Sequence, residues 1–133
     1  MKEKRFDEWI GIKARLHYIG RIRLIKEGDV WWCAFGENIG VEMNGKSGAF
    51  TRPVIVFKKH NGMSFMAIPL TTKLHPDDKR YIRFTFQGKE ESAVLIQART
   101  LSVSRLNKRI GRLSNSDMAL VRDGFKRYYL KEK

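Results

Sequence analysis

The sequence predicts a mainly β fold with peripheral helices, an α+β arrangement built on a small, strongly bent β-barrel. Three observations predict it. Two apolar runs, Pro53-Val-Ile-Val-Phe57 and Met63-Ser-Phe-Met-Ala-Ile-Pro-Leu70, flank Asn61-Gly62. Asn-Gly between hydrophobic runs is the strongest short-range hairpin signal, because both turn residues must accept positive φ. Tyr81-Ile-Arg-Phe-Thr-Phe86 alternates in the manner of a half-buried strand. Near the end, Ser114-Asn-Ser-Asp117 is a capping signal ahead of Met118, Leu120, Val121, Phe125 and Tyr128, which recur at helical spacing and predict a C-terminal helix.

Taken in order, Trp9, Ile10, Ala14, Leu16 and Tyr18 loosely follow helical spacing with Asp7 as N-cap, so a short basic amphipathic helix is expected over about 7–18. Arg21-Ile-Arg-Leu-Ile25 alternates cation and apolar residue and leads, extended, into a first strand over about 30–35. Between Gly36 and Thr51 the glycines and asparagines predict a mobile loop. The hairpin follows, then a second loop at Lys73-Leu-His-Pro-Asp-Asp-Lys79, where His75-Pro76 restricts the backbone. Ser92-Ala-Val-Leu-Ile96 reads as a strand buried on both faces. Gly124 inside the last helix opposes helix propensity by about 1 kcal/mol relative to Ala, which raises the prospect of close packing there. A single domain over 1–133 is expected, with 1–27 as a helical or extended appendage and 28–133 as the barrel with its helix.

At 133 residues, with 42% hydrophobic content, eight Phe and three Trp, the chain can bury a real core. Its 27 Lys and Arg against 14 acids leave a formal charge of +13, which points to a polyanionic partner. Cys33 is the one cysteine, flanked by Trp31, Trp32, Ala34 and Phe35, so it reads as a buried structural thiol. No Cys/His cluster has metal-ligand spacing, and neither a metal nor another cofactor is expected. A lone cysteine, no apolar signal-peptide core and no membrane-length run imply a cytoplasmic protein that does not engage a membrane.

Chemistry concentrates where the two apolar runs end. Counting outward by equal steps from Asn61 and Gly62 reaches Arg52 and Thr71 together. In a hairpin closed by those two turn residues they face each other, with Cβ atoms roughly 4.5–5.5 Å apart. A guanidinium and a hydroxyl so placed can hold a phosphate without a metal. Lys73, Lys79, Arg80 and Arg83 follow and can track phosphates, while Trp31, Trp32, Phe50 and Tyr81 are candidates to stack on bases, with Phe50, beside Arg52, the better placed. Because adjacent strand positions point to opposite faces, one of Trp31 and Trp32 is expected in the core. Arg99, Arg105, Lys108 and Arg109 either extend a basic groove or solvate the surface.

Gly28-Asp29-Val30-Trp31-Trp32, Thr51-Arg52-Pro53-Val54, Pro69-Leu-Thr-Thr-Lys73, Gln97-Ala-Arg-Thr-Leu101 and Arg109-Ile-Gly-Arg-Leu113 together resemble the MazF/PemK toxins over about 28–130. The resemblance implies an SH3-like barrel of the CcdB/MazF type, a homodimer, cleavage of single-stranded RNA without a metal, and a cognate antitoxin. The family's essential arginine falls on Arg52, its hydroxyl residue on Thr71 and its glutamine on Gln97. Where many members carry Gly-Ser-Glu in the first loop, this chain has Gly40-Val41-Glu42, so a serine that can contact RNA is missing.

Metal-free cleavage of RNA implies attack by the ribose 2′-hydroxyl, a dianionic phosphorane, and products with 2′,3′-cyclic phosphate and 5′-hydroxyl ends. Arg52 suits the stabilisation of that charge. Glu42 and His75 are the nearest candidates for the base. Two other readings stay open on the sequence: a CcdB-like gyrase poison on the same fold, which needs no cleavage centre, and a noncatalytic RNA-binding barrel, which would bind RNA and release no fragments.

Overall fold

The apolar runs become the middle of a sheet that is covered on both sides. The computed structural model describes residues 24–35 and 51–130. The helix expected over 7–18 and the loop over 36–50, with Glu42 and Phe50, lie outside the described residues. Within them the chain forms β1 (Asp29–Ala34), β2 (Thr51–Lys59), β3 (Ser64–Thr71), β4 (Tyr81–Phe86), β5 (Lys89–Val94), β6 (Arg99–Ser102) and β7 (Leu106–Arg112), followed by α1 (Asn115–Leu130). All strand pairs are antiparallel, in the order β4-β5-β3-β2-β1-β7 with β6 also beside β3. Val54 and Val56 of β2, with Phe65 and Ala67 of β3, enter one apolar cluster. Their alternates Ile55, Ile68 and Leu70 enter another, shared with Met118 and Val121 of α1. Two buried faces explain why these strands read as continuous apolar runs. No helix among the described residues is long and apolar enough to cross a membrane.

The hairpin departs from the expected two-residue turn. His60 N donates to Ser64 O at 3.1 Å, which leaves Asn61, Gly62 and Met63 as the loop, and Asn61 Oδ1 accepts from the backbone N–H groups of Met63 and Ser64. That extra loop residue displaces the register next to the turn, at Lys59↔Phe65 and Lys58↔Met66, and a bulge at Phe57 restores it, giving Val56↔Ala67, Ile55↔Ile68 and Val54↔Pro69. The two irregularities cancel. Continuing the restored register outward sets Arg52 opposite Thr71.

Along its other edge β3 changes partner. Its first half pairs with β6 and its last two residues, Leu70 and Thr71, pair with Ala93 and Ser92 of β5. Pro69, which has no N–H to donate, sits in the gap between the two partners. A 3-10 turn, Leu95–Gln97, carries the chain from β5 to β6. The strand expected over Ser92–Ile96 is therefore corrected: it begins at Lys89 and ends at Val94, because the chain must turn to reach the other half of β3.

The expected mainly β fold with its C-terminal helix is present, and its sheet is left open, with no backbone ladder between β4 and β7 among the described residues. Gln87 links the two ends, its Nε2 donating to Ile110 O at 3.1 Å, with the Phe86 ring beside Gly111. Gln87 and Gly88 have φ of 52° and 79°, as a two-residue hairpin turn demands. A Cβ on Gly111 would lie 2.7 Å from Gln87 Nε2, so a side chain there would push the Gln87 amide away from Ile110 O.

Ser114 Oγ accepts from Asp117 N at 3.1 Å, the N-cap that the sequence signals. Helix α1 then lays Met118 and Val121 on the core, stacks Phe125 on the bulged Phe57 with ring centroids 4.8 Å apart, and donates from Tyr129 Oη to Leu95 O.

Candidate active site

Asp29, buried in β1, explains the Gly-Asp-Val-Trp segment. Its carboxylate accepts from Lys26 N at 3.0 Å and pairs with Arg109 at 3.3 Å and Arg112 at 3.4 Å. Those two arginines fasten β7 to β1, so Arg109 has a structural tie that the sequence left open. Arg99 lies over the Phe35 ring at 4.4 Å. Trp31 is buried and Trp32 is 39% exposed, which decides the pair as strand alternation requires. Cys33 is buried, as expected, and burial pushes its thiol up to about 12 against a smaller opposing pull from Arg105 and Arg99.

At the rim where β2 begins and β3 ends, Arg52, Thr71, Lys73, His75, Arg80 and Gln97 line one cavity of about 780 Å³, with Thr72, Tyr81, Val94 and Ile96 completing its wall. Each arrives by a different route: Arg52 on β2, Thr71 as the last residue of β3, Gln97 at the end of the 3-10 turn, and the others from the loop between β3 and β4. Arg52 is 8% exposed and its Nη1 donates to Leu70 O at 3.1 Å. Desolvation lowers its pKa from the ordinary guanidinium value, but an arginine remains a cation near neutrality. Thr71 Oγ1 accepts from Lys73 N at 3.2 Å, which leaves the hydroxyl proton to donate.

Other residues picked out from the sequence fall nearby. His75 stacks on Tyr81, ring centroids 3.6 Å apart and planes 8° from parallel. Arg80 grips Asp78 through Nε at 2.9 Å and Nη2 at 2.7 Å, and those bonds hold the Asp78 carboxyl down at about 2. Lys79 and Arg83 line a neighbouring cavity that also borders His75 and Tyr81. Trp32 lines a third, apolar groove with Pro53, Phe86 and Ile110, which shares Thr71 and Thr72 with the Arg52 cavity. Glu42 and Phe50 lie outside the described residues. Sequence reasoning passed over Thr72, Ser92 and Arg127. A serine opening an apolar strand was the available signal for Ser92, whereas nothing local marks Arg127.

The open antiparallel sheet with its C-terminal helix has equivalents among solved structures. MazF from Deinococcus radiodurans is similar at a TM-score of 0.64 and 18% identity, covering 80% of this chain and 96% of that one. The MazE-MazF structure from the same organism gives 0.60 and 15%, covering 83% and 99%. Mycobacterium tuberculosis toxin MazF-mt6 gives 0.58 and 12%, covering 79% and 99%. These define the fold as that of MazF. The family model of the PemK-like, MazF-like toxin of type II toxin-antitoxin systems matches residues 26–129, and the chain belongs to that family. No curated protein sequence matches it.

Proposed function

We propose that the chain is a toxin endoribonuclease that cleaves single-stranded RNA sequence-selectively and without a metal. The observation that carries this reading is the convergence of Arg52, Thr71 and Gln97 on one cavity in a member of a toxin family. The 2′-hydroxyl of the ribose attacks the adjacent phosphorus and gives up its proton. Phosphorus then carries a dianionic phosphorane, the 5′-oxygen leaves and takes a proton, and the products end in a 2′,3′-cyclic phosphate and a 5′-hydroxyl.

Arg52 meets the charge that develops on the non-bridging phosphoryl oxygens. Its guanidinium can give two parallel hydrogen bonds to phosphate oxygens, and its bond to Leu70 O orients it in advance. Fixed donors in a poorly hydrated site contribute more than they would in water. Thr71 supplies a neutral donor beside it. Among the residues lining the cavity, His75 carries the one imidazole, the side chain best suited to take the 2′-hydroxyl proton near neutral pH. Lys73 attracts the strand, whereas Arg80, though it lines the cavity, is engaged by Asp78.

A homodimer and a cognate antitoxin belong to the same proposal, supported by the solved structure titled as MazE-MazF among the similar folds. An acidic, partly disordered antitoxin segment would neutralise the basic groove and block Arg52. Sedimentation of the purified chain tests the dimer, and a strictly monomeric protein at micromolar concentration would oppose it.

Incubation with mixed-sequence single-stranded RNA in EDTA, beside Arg52→Ala, tests the activity. Discrete cuts with cyclic phosphate ends are expected, reduced at least roughly a hundredfold in the variant while its circular dichroism is unchanged. Wild-type-like cleavage by Arg52→Ala sinks the reading, as does intact RNA with the wild-type protein.

A further inference from the structure

The cavity beside the Arg52 site holds a group that the proposed chemistry does not use. Ser92 is 1% exposed, and its Oγ is buried with no hydrogen-bond partner. A buried hydroxyl left unpaired is unfavourable, and a ligand oxygen relieves it. Ser92 lines a cavity of about 590 Å³ with Lys79, Arg83 and Arg127, and with Ile82 and Gly124. The charged groups facing it are those three cations and the carboxylates of Asp77 and Asp78, of which Asp78 is engaged by Arg80 at 2.7 Å. The volume suits a nucleotide-sized ligand, and the cations favour an anionic one.

Strand register ties this cavity to the first. Arg83 pairs with Ser92, and Ser92 pairs with Thr71. Directly opposed residues project to the same face, and neighbouring strands lie about 4.8 Å apart. Arg83, Ser92 and Thr71 therefore form a transverse row, which the β2–β3 register extends to Arg52. Two residues line both cavities, His75 and Tyr81. Their stacked rings form a flat aromatic partition between the two spaces.

Building on the endoribonuclease reading, we propose that this second cavity is a subsite for the nucleotide flanking the cleaved linkage. Arg83 and Ser92 hold its phosphodiester, and the base rests against the His75–Tyr81 pair. An RNA strand crossing the row presents one phosphate to Arg52 and Thr71 and a neighbouring one to Ser92 and Arg83. Ser92 is then a positioning residue, acting on register along the strand rather than on the reacting atoms. A free phosphate ion offers the same oxygens, but it gives no role to the shared aromatic pair, so the occupant is the strand.

The test uses oligonucleotides containing the mapped cut site, each with one flanking phosphate replaced by an uncharged methylphosphonate. Wild type, Arg83→Gln and Ser92→Ala are compared by kcat/KM, with thermal unfolding to check folding. Wild type is expected to lose roughly tenfold at one flanking linkage, the scale of a charge-assisted hydrogen bond. Arg83→Gln is expected to show that loss on the unmodified strand and no further loss when the same linkage is neutralised, with Ser92→Ala intermediate. If wild type cleaves but every penalty persists undiminished in both variants, the subsite is wrong and the endoribonuclease reading stands. If wild type cuts no RNA, both fall. Inorganic phosphate that binds through Arg83, with no linkage depending on Arg83, overturns the strand reading in favour of a free anion.

Discussion

Arg52 and Cys33 show the same environment acting on opposite chemistries. Each is nearly or fully buried at the end of a strand, and burial disfavours charge in both. The guanidinium tolerates this because Leu70 O is at hand. The thiol responds by staying neutral, pushed up to about 12 from an ordinary value of 9.0. An unfolded chain ionises Cys33 first, so from about pH 9 to about pH 12 the unfolded state binds fewer protons and stability falls as pH rises. Cys33→Ala is expected to lose that component of the alkaline slope in denaturant titrations. At pH 8, thiol labelling of the wild type should proceed at the rate of global opening, and prompt stoichiometric labelling of the folded protein would contradict the burial argument. Single residues were legible where alternation or register bears on them: Trp31 against Trp32, and the β2–β3 register as far as Val54↔Pro69. That register is the one counted from Asn61-Gly62 because the longer turn and the bulge at Phe57 shift it by one residue in opposite senses, which local sequence does not announce.

At the scale of elements, Gly124 is where helix propensity and packing disagree. Alanine there would gain about 1 kcal/mol of propensity, yet a Cβ would overlap Ile82 Cδ1 and stand 2.5 Å from Ile82 Cγ1. Ile82 is 9% exposed and packs in the core cluster that also holds Leu95, so the side chain has little room to move aside. Overpacking of this kind costs roughly 1–3 kcal/mol. Gly124→Ala should therefore be less stable in urea unfolding, with an unchanged m value, and a more stable variant would mean that Ile82 repacks freely. The sequence raised close packing here without naming the partner, because contact between α1 and β4 is a tertiary fact. Caps and alternation made α1 and β4 legible almost to the residue. The start of β5 was hidden because Lys89-Glu-Glu is polar, with Lys89 and Glu90 exposed, and β6 and β7 were unread as strands. In β7, register shifts against β1 between Val30 and Trp31 and between Trp32 and Cys33 break the alternation that marks a strand.

Across the whole molecule, the excess of 27 cations over 14 acids states an electrostatic preference but not which cations meet a phosphate. The structure sorts some of them. Arg109 and Arg112 are bound to Asp29, and Arg80 to Asp78, whereas Arg83 lines the cavity next to Arg52. RNA affinity depends on salt through the counterions that each phosphate contact releases, with a slope of about −0.7 in log–log form per phosphate neutralised on a single strand. Binding of a single-stranded RNA whose cut-site ribose lacks its 2′-hydroxyl isolates this term from cleavage. Arg83→Gln should make the slope shallower by about 0.7, because a phosphate contact is lost. Arg109→Gln should leave the slope unchanged while lowering the unfolding midpoint, because its guanidinium is held on buried Asp29, which joins β7 to β1, and lines neither the Arg52 nor the Arg83 cavity. Equal slopes for wild type and Arg83→Gln would remove Arg83 from the RNA path, and a shallower slope for Arg109→Gln would extend that path across the β1–β7 edge.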